Sequence, residues 1–136
     1  MKKYKGYLID LDGTMYRGSE RIEAASDFIK RLIEAEIPYL FVTNNSSRTP
    51  AQVAEKLRGF DIPTTEEQVF TTSQATANYI YEQKQDATVY VIGEEGIQTA
   101  IQEKGLKFAG EDADFVVSGI DRGITYEKLA VGCLAV

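Results

Sequence analysis

Short apolar runs alternate with helical stripes along the whole chain, and that alternation leaves few folds open to it. Tyr7-Leu8-Ile9 has the pattern of a short buried strand. From Ile22 onward, Ile22, Ala25, Ile29, Leu32 and Ile33 repeat at helical spacing and predict a stripe facing a core. The run IPYLFV, Ile37 to Val42, is continuously apolar, as in a strand covered on both faces. Thr49-Pro50-Ala51-Gln52 reads as a helix start, with a threonine cap, proline at the first helical position and glutamine three residues past the cap. Val69-Phe70-Thr71 is a weaker strand signal, with Ser73 placed to cap the helix after it. TVYVIG, Thr88 to Gly93, predicts another strand, and its following helix should stop at Gly105 in a left-handed cap. DFVVSG, Asp114 to Gly119, is the last strand signal, with a helix from Tyr126 behind Thr125. The expected class is α/β, a mostly parallel sheet with helices on its faces. A domain boundary is expected near Gln83 to Ala87, where the chain turns polar before a new strand opens.

Composition removes several functions. A net charge of −6 without a basic run argues against nucleic acid and against anionic membrane surfaces. No apolar segment approaches the roughly 20 residues of a membrane helix. The start MKKYKGYLID is basic, but its apolar stretch meets Asp10 too early for a secretory signal. The single cysteine, Cys133, excludes an internal disulfide and a cysteine-cluster zinc site, and is expected to be a small buried residue. There is no histidine. Any chemistry must therefore run on carboxylates, hydroxyls, amides, lysines or a metal.

Two sequence stretches carry that chemistry. DLDGT, Asp10 to Thr14, follows the first strand, and TNNSS, Thr43 to Ser47, follows the second. In an open parallel sheet both lie at the carboxyl ends of strands, where ligands bind. Asp10 and Asp12 repel one another unless something positive lies between them. Magnesium, a hard ion that prefers oxygen ligands, would neutralise Asp10 and an incoming phosphate together and leave Asp12 free to carry a proton. An EF-hand is rejected, because glycine stands fourth after the first aspartate's position is counted and Met15 occupies the sixth place.

DLDGT behind a buried strand resembles the first motif, DxDG[TV], of the haloacid-dehalogenase-like phosphatases. VTNNSS resembles the second motif of their NagD-like branch, which includes nitrophenyl, nucleotide, sugar and phosphoglycolate phosphatases. FTTSQATANYI and ADFVVSGIDRGITYEKL, Ala113 to Leu129, resemble further stretches of that branch, the latter in its α/β cap domain. The resemblance implies a Rossmann-like core with an α/β cap and a magnesium-dependent phosphatase working through an aspartyl-phosphate. It implies Asp10 as nucleophile and metal ligand, and Asp12 as acid and base with its carbonyl on the metal. Gly13 would let the backbone approach the phosphate, and Thr43, Asn44 and Asn45 would bind the phosphoryl oxygens. A small phosphorylated metabolite is the implied partner, such as a sugar phosphate, a nucleoside monophosphate or nitrophenyl phosphate. A cytoplasmic location and a homodimer through the cap are expected with it, without nucleic acid or membrane.

The branch also carries a lysine, usually followed by proline, and an acidic pair in a GD…D setting. Lys56, Lys84, Lys104, Lys107 and Lys128 do not stand in the first setting, and EDAD, Glu111 to Asp114, reads as a solvated turn rather than the second. Arg48 reads as a solvated surface residue. The chain is thus expected to be an N-terminal half. Residues 1–80 would be the first part of the core and 81–136 an incomplete cap, with the 136-residue chain itself inactive. Two alternatives stay open: a catalytically incomplete fragment that binds phosphate or metal, and a phosphoacceptor signalling domain. The second has no need of an acid two residues beyond its phosphorylated aspartate.

Overall fold

The structure is a computed structural model that describes residues 4–136; the first part of the basic start lies outside the described residues. Contacts gather the chain into two compact units, one formed up to Asn44 and by Pro50–Phe70, the other by Asn45–Thr49 and Thr71–Val136.

The first unit opens with β1 (Tyr7–Asp10), followed by a small hairpin of β2 (Tyr16–Arg17) and β3 (Glu20–Arg21). Then come α1 (Glu23–Glu34), β4 (Tyr39–Thr43), α2 (Pro50–Gly59), a 3-10 turn (Glu66–Gln68) and β5 (Val69–Thr71). The sheet has the order β1-β4-β5. β1 and β4 run parallel, with Tyr7 beside Tyr39 and Asp10 beside Val42. Ile9 and Phe41 point from these strands into a core with Ile29 and Leu32 of α1 and Val53, Ala54 and Leu57 of α2. Strands alternate their side chains between faces, so Leu8 leaves that core and is 78% exposed.

Here two expectations are corrected. The strand expected over Ile37–Val42 is covered on one face, not both: Phe41 is fully buried while Leu40 and Val42 are only half-buried. In α1 the buried stripe is Ala25, Ser26, Ile29 and Leu32, and Ile33, one position further round, is 45% exposed.

The second unit contains α3 (Thr72–Gln83), β6 (Thr88–Ile92), α4 (Glu95–Glu103), β7 (Lys107–Phe108), β8 (Phe115–Ser118) and α5 (Tyr126–Ala135). Its sheet has the order β7-β6-β8, and β6 is parallel to both neighbours. Val89 of the central strand is buried with Ala77 and Ile80 of α3 and Ile97, Ala100 and Ile101 of α4. Tyr90, its neighbour in the strand, takes the opposite face and donates its hydroxyl to the Lys128 carbonyl of α5 at 3.0 Å.

The α3 cap is Thr71, not Ser73. Thr71 Oγ1 accepts from Gln74 N, and Gln74 Oε1 accepts from Thr71 N, so donor and acceptor close a capping box. Ser73 is buried at the second position of the helix. Cys133 is exposed rather than buried, because α5 turns Gly132 inward and carries the cysteine away from the sheet. Gly105, at φ 82°, ends α4 as its sequence implied. Among the described residues no helix is long and apolar enough to cross a membrane.

Candidate active site

Asp10 ends β1, and the alternation of that strand continues past it. Ile9 and Leu11 are buried, while Asp10 and Asp12 are exposed. Residues two apart in extended chain share a face, so both carboxylates leave the core on the same side, with Leu11 as the anchor between them. A tight turn then reverses the chain. Thr14 N and Met15 N donate to the Leu11 carbonyl at 3.1 and 2.8 Å, and Gly13 N donates to the Tyr16 carbonyl at 2.7 Å. Gly13 has φ 83°, a left-handed conformation open to glycine at little cost. Met15 and Tyr16, buried beyond the turn, fix it to the core.

The parallel register sets Asp10 beside Val42, which carries the end of β4 to the carboxylate turn. Thr43 is buried and Asn44 exposed just beyond. The first unit therefore brings Asp10, Asp12, Gly13, Thr43 and Asn44 to the carboxyl end of its sheet. Asn45 belongs to the second unit. Its Oδ1 accepts from both the backbone N–H and the hydroxyl of Ser47, each at 2.8 Å.

The donors suit a small divalent cation. Carboxylates are hard oxygen ligands, and among the described residues no lysine or arginine forms a salt bridge with Asp10 or Asp12. They make only part of a coordination sphere: among the described residues no three His, Cys, Asp or Glu side chains cluster to hold a metal ion. Several lysines elsewhere have other partners. Lys56 Nζ lies 3.9 Å from the Tyr16 ring centroid, and Lys104 Nζ lies 5.0 Å from that of Tyr81. Lys84 pairs with Asp114, and Lys128 with Asp121. Asp114 also accepts from Thr88 N, so the EDAD turn braces the start of β6.

Sequence reasoning included Ser46 and Ser47 in the TNNSS stretch without giving them a role. Both are bonded within the second unit, to which they belong: Ser73 Oγ donates to the Ser46 carbonyl at 3.2 Å, and Gly96 N donates to the Ser47 carbonyl at 3.0 Å. The available signal was Gly96, a glycine inside a helical pattern, which marks a close approach by another group.

The family model of the haloacid dehalogenase-like hydrolases matches residues 7–107. Over 136 residues the chain is 72% identical to 5'-nucleotidase YutF of Bacillus subtilis (strain 168), covering 100% of this chain and 53% of that protein. It is 53% identical over 137 positions to the acid sugar phosphatase of Staphylococcus haemolyticus (strain JCSC1435), covering 100% of this chain and 52% of that protein. A crystal structure of a double mutant of thermostable NPPase from Geobacillus stearothermophilus superposes with a TM-score of 0.93 at 64% identity, over 99% of this chain and 53% of that one. The chain spans about half the length of the curated relatives it matches.

Proposed function

The chain belongs to the haloacid dehalogenase-like hydrolases, and from that membership we propose a magnesium-dependent phosphatase acting on small organic phosphomonoesters. The observation that carries the reading is the pair Asp10 and Asp12, exposed on either side of buried Leu11 at the end of β1, with Thr43 and Asn44 at the end of the adjacent strand. Asp10 attacks phosphorus and forms an acyl phosphate while the ester P–O bond breaks. Asp12 gives its proton to the departing alkoxide. Water then attacks the acyl phosphate, Asp12 takes the proton, and phosphate leaves with Asp10 restored. The covalent intermediate divides one difficult displacement into two easier ones. Thr43 and Asn44 donate to the phosphoryl oxygens, and the Gly13 turn lets the backbone approach them. Such fixed donors stabilise charge that spreads over the transferring group. Asp10 and the Asp12 carbonyl would hold magnesium, which supplies positive charge to the phosphate when bound.

The names of the relatives support sugar phosphates and nucleoside monophosphates as the substrate class, with nitrophenyl phosphate as a convenient probe. The second unit is assigned the choice among them, a cytoplasmic setting suits such metabolites, and contacts of that unit would carry a homodimer. The test is multiple turnover of nitrophenyl phosphate by the full-length enzyme, with and without a chelator, combined with acid trapping of labelled acyl phosphate. Turnover that survives removal of divalent metal, or a trapped phosphate on a residue other than Asp10, would overturn the mechanism.

A further inference from the structure

A parallel sheet whose strand order reverses has a crevice at the carboxyl ends of the strands flanking the reversal, and ligands of such sheets bind there. In the second unit the order β7-β6-β8 puts that crevice beyond the paired ends of β6 and β8, Ile92 and Ser118. The chain itself fills it. Gly96 N, in the first turn of α4, donates to the Ser47 carbonyl at 3.0 Å. Ile120 N, just after β8, donates to Ser46 Oγ at 3.3 Å, and Ser73 Oγ of α3 donates to the Ser46 carbonyl at 3.2 Å. Three elements of the second unit thus grip two consecutive serines.

The fit leaves no room for a methyl group. A Cβ on Gly96 would lie 2.5 Å from the carbonyl oxygens of Ser46 and Arg48 and 2.7 Å from Arg48 N. A Cβ on Gly119 would lie 2.6 Å from Ser46 Oγ. Gly13, Gly18 and Gly105 are the described glycines at positive φ, so at Gly96 it is the approach of the Ser46–Arg48 backbone that demands glycine, while at Gly119 the near neighbour is the Ser46 side chain. Alanine would otherwise be the better residue inside α4.

We propose that Ser46–Arg48 acts as a built-in ligand of this crevice, and that Ser46 is a positioning residue for the phosphate-binding turn that precedes it. The inference rests on the phosphatase reading given above and adds a means by which the second unit governs turnover. Asn45 transmits the constraint. Its side chain already binds Ser47 twice, so the chain from Asn45 to Ser47 is a stiff turn. Asn44 is joined directly to that turn. Seating of Ser46 therefore removes freedom from the Thr43–Asn44 donors, and donors held before the reaction need no reorganisation during it.

The experiment uses the full-length enzyme and its Gly96→Ala, Ser46→Ala and Gly110→Ala variants. Gly110 has nothing within 4 Å of an added Cβ and serves as the control. Readouts are kcat and KM for nitrophenyl phosphate, the inhibition constant of inorganic phosphate, the melting temperature, and amide exchange at Gly96 and Ile120. Gly96→Ala is expected to lower kcat about tenfold or more, to weaken inorganic phosphate and to speed exchange at Ile120. Ser46→Ala should lower kcat by a smaller factor and speed exchange at Ile120, and Gly110→Ala should match the parent. Parent-like kcat and phosphate inhibition in Gly96→Ala would overturn the proposal. Should that variant not fold, Ser46→Ala decides: faster exchange at Ile120 with unchanged kcat overturns it. A parent without turnover refutes the phosphatase reading instead, and the seating is then judged alone, fast exchange at Gly96 and Ile120 refuting it.

Discussion

Asn in place of Asp10 keeps the side-chain shape and removes the nucleophile, since an amide oxygen attacks phosphorus very poorly. Asp10→Asn in the full-length enzyme is therefore expected to abolish nearly all turnover with an unchanged melting curve. A loss smaller than tenfold, about 1.4 kcal/mol of barrier, would remove Asp10 from the role. Asp12→Asn separates the acid from the nucleophile. A good leaving group scarcely needs a proton, so pre-steady-state phosphorylation by nitrophenyl phosphate should suffer less than that by an alkyl phosphate. Equal losses would contradict the assignment. Ion pairs away from the site shift their own carboxylates. The hydrogen bond from Lys84, and after it that from Thr88 N, hold Asp114 below the ordinary 3.8. Lys128 does the same for Asp121. Between its lowered folded pKa and 3.8 each carboxyl binds fewer protons folded than unfolded, so its stabilisation is complete above 3.8 and is lost as pH falls below it. The same bond raises Lys84 above 10.5, so its contribution is complete below that pH and fades above it. Asp114→Asn should flatten the melting-temperature profile at both ends, most visibly below pH 3.8, whereas a profile identical to the parent's would show the pair to be inert.

Helix ends show which local rules were written plainly. α4 closes with Gly105 N on the Gln102 carbonyl and Leu106 N on that of Ile101, the paired bonds of a Schellman motif with glycine at its left-handed position. α1 closes identically through Glu36 and Ile37, and α2 through Asp61 and Ile62, yet Glu36 and Asp61 carry side chains at φ 52° and 59°. Left-handed backbone costs a non-glycine residue about 1–2 kcal/mol, and glycine's own unfolded-state freedom takes back part of any gain. Glu36→Gly should thus raise stability by about 0.5 kcal/mol, while Gly105→Ala should lower it by about 1–2 kcal/mol, both read by urea unfolding. Thr71→Ala, which opens the capping box, should cost about 1 kcal/mol. Gly105 was legible from sequence because glycine announces the conformation; Glu36 and Asp61 were not. At Asp61 tertiary contacts override local preference: buried Ser26 donates its hydroxyl to the Asp61 carbonyl, and Lys30 and Arg21 hold its carboxylate. DLDGT and TNNSS were legible because few local sequences combine such residues at successive strand ends. The two-residue strands β2, β3 and β7 carry too few residues for a period to show. The grip on Ser46 joins positions as far apart as 46 and 120 and leaves only a glycine as its local trace.

Among the described residues, the first unit leaves an apolar sheet face open. Leu8 is 78% exposed on β1, an edge strand, and Gly6–Leu8 with Pro38–Leu40 line a shallow concavity of about 290 Å³. An uncovered apolar face beside unpaired strand groups favours association. Residues 1–136 prepared alone are expected to self-associate, and Leu8→Lys should shift their sedimentation toward the monomer. They should also show no more than trace turnover, because the described residues bring neither a lysine nor a third carboxylate to Asp10. Each missing electrostatic contact of this kind costs about 10²–10³ in rate. Monomeric residues 1–136 with the full-length enzyme's turnover would refute both expectations. The two units also interleave in sequence. Each is discontinuous, the second taking Asn45–Thr49 from within the span of the first. Recombination between relatives at a single crossover after Phe70 would transfer α3 through α5 and leave Ser46–Arg48 behind. Crevice and filler would then descend from different parents, so Gly96, Gly119 and Ser46 are expected to change together or not at all.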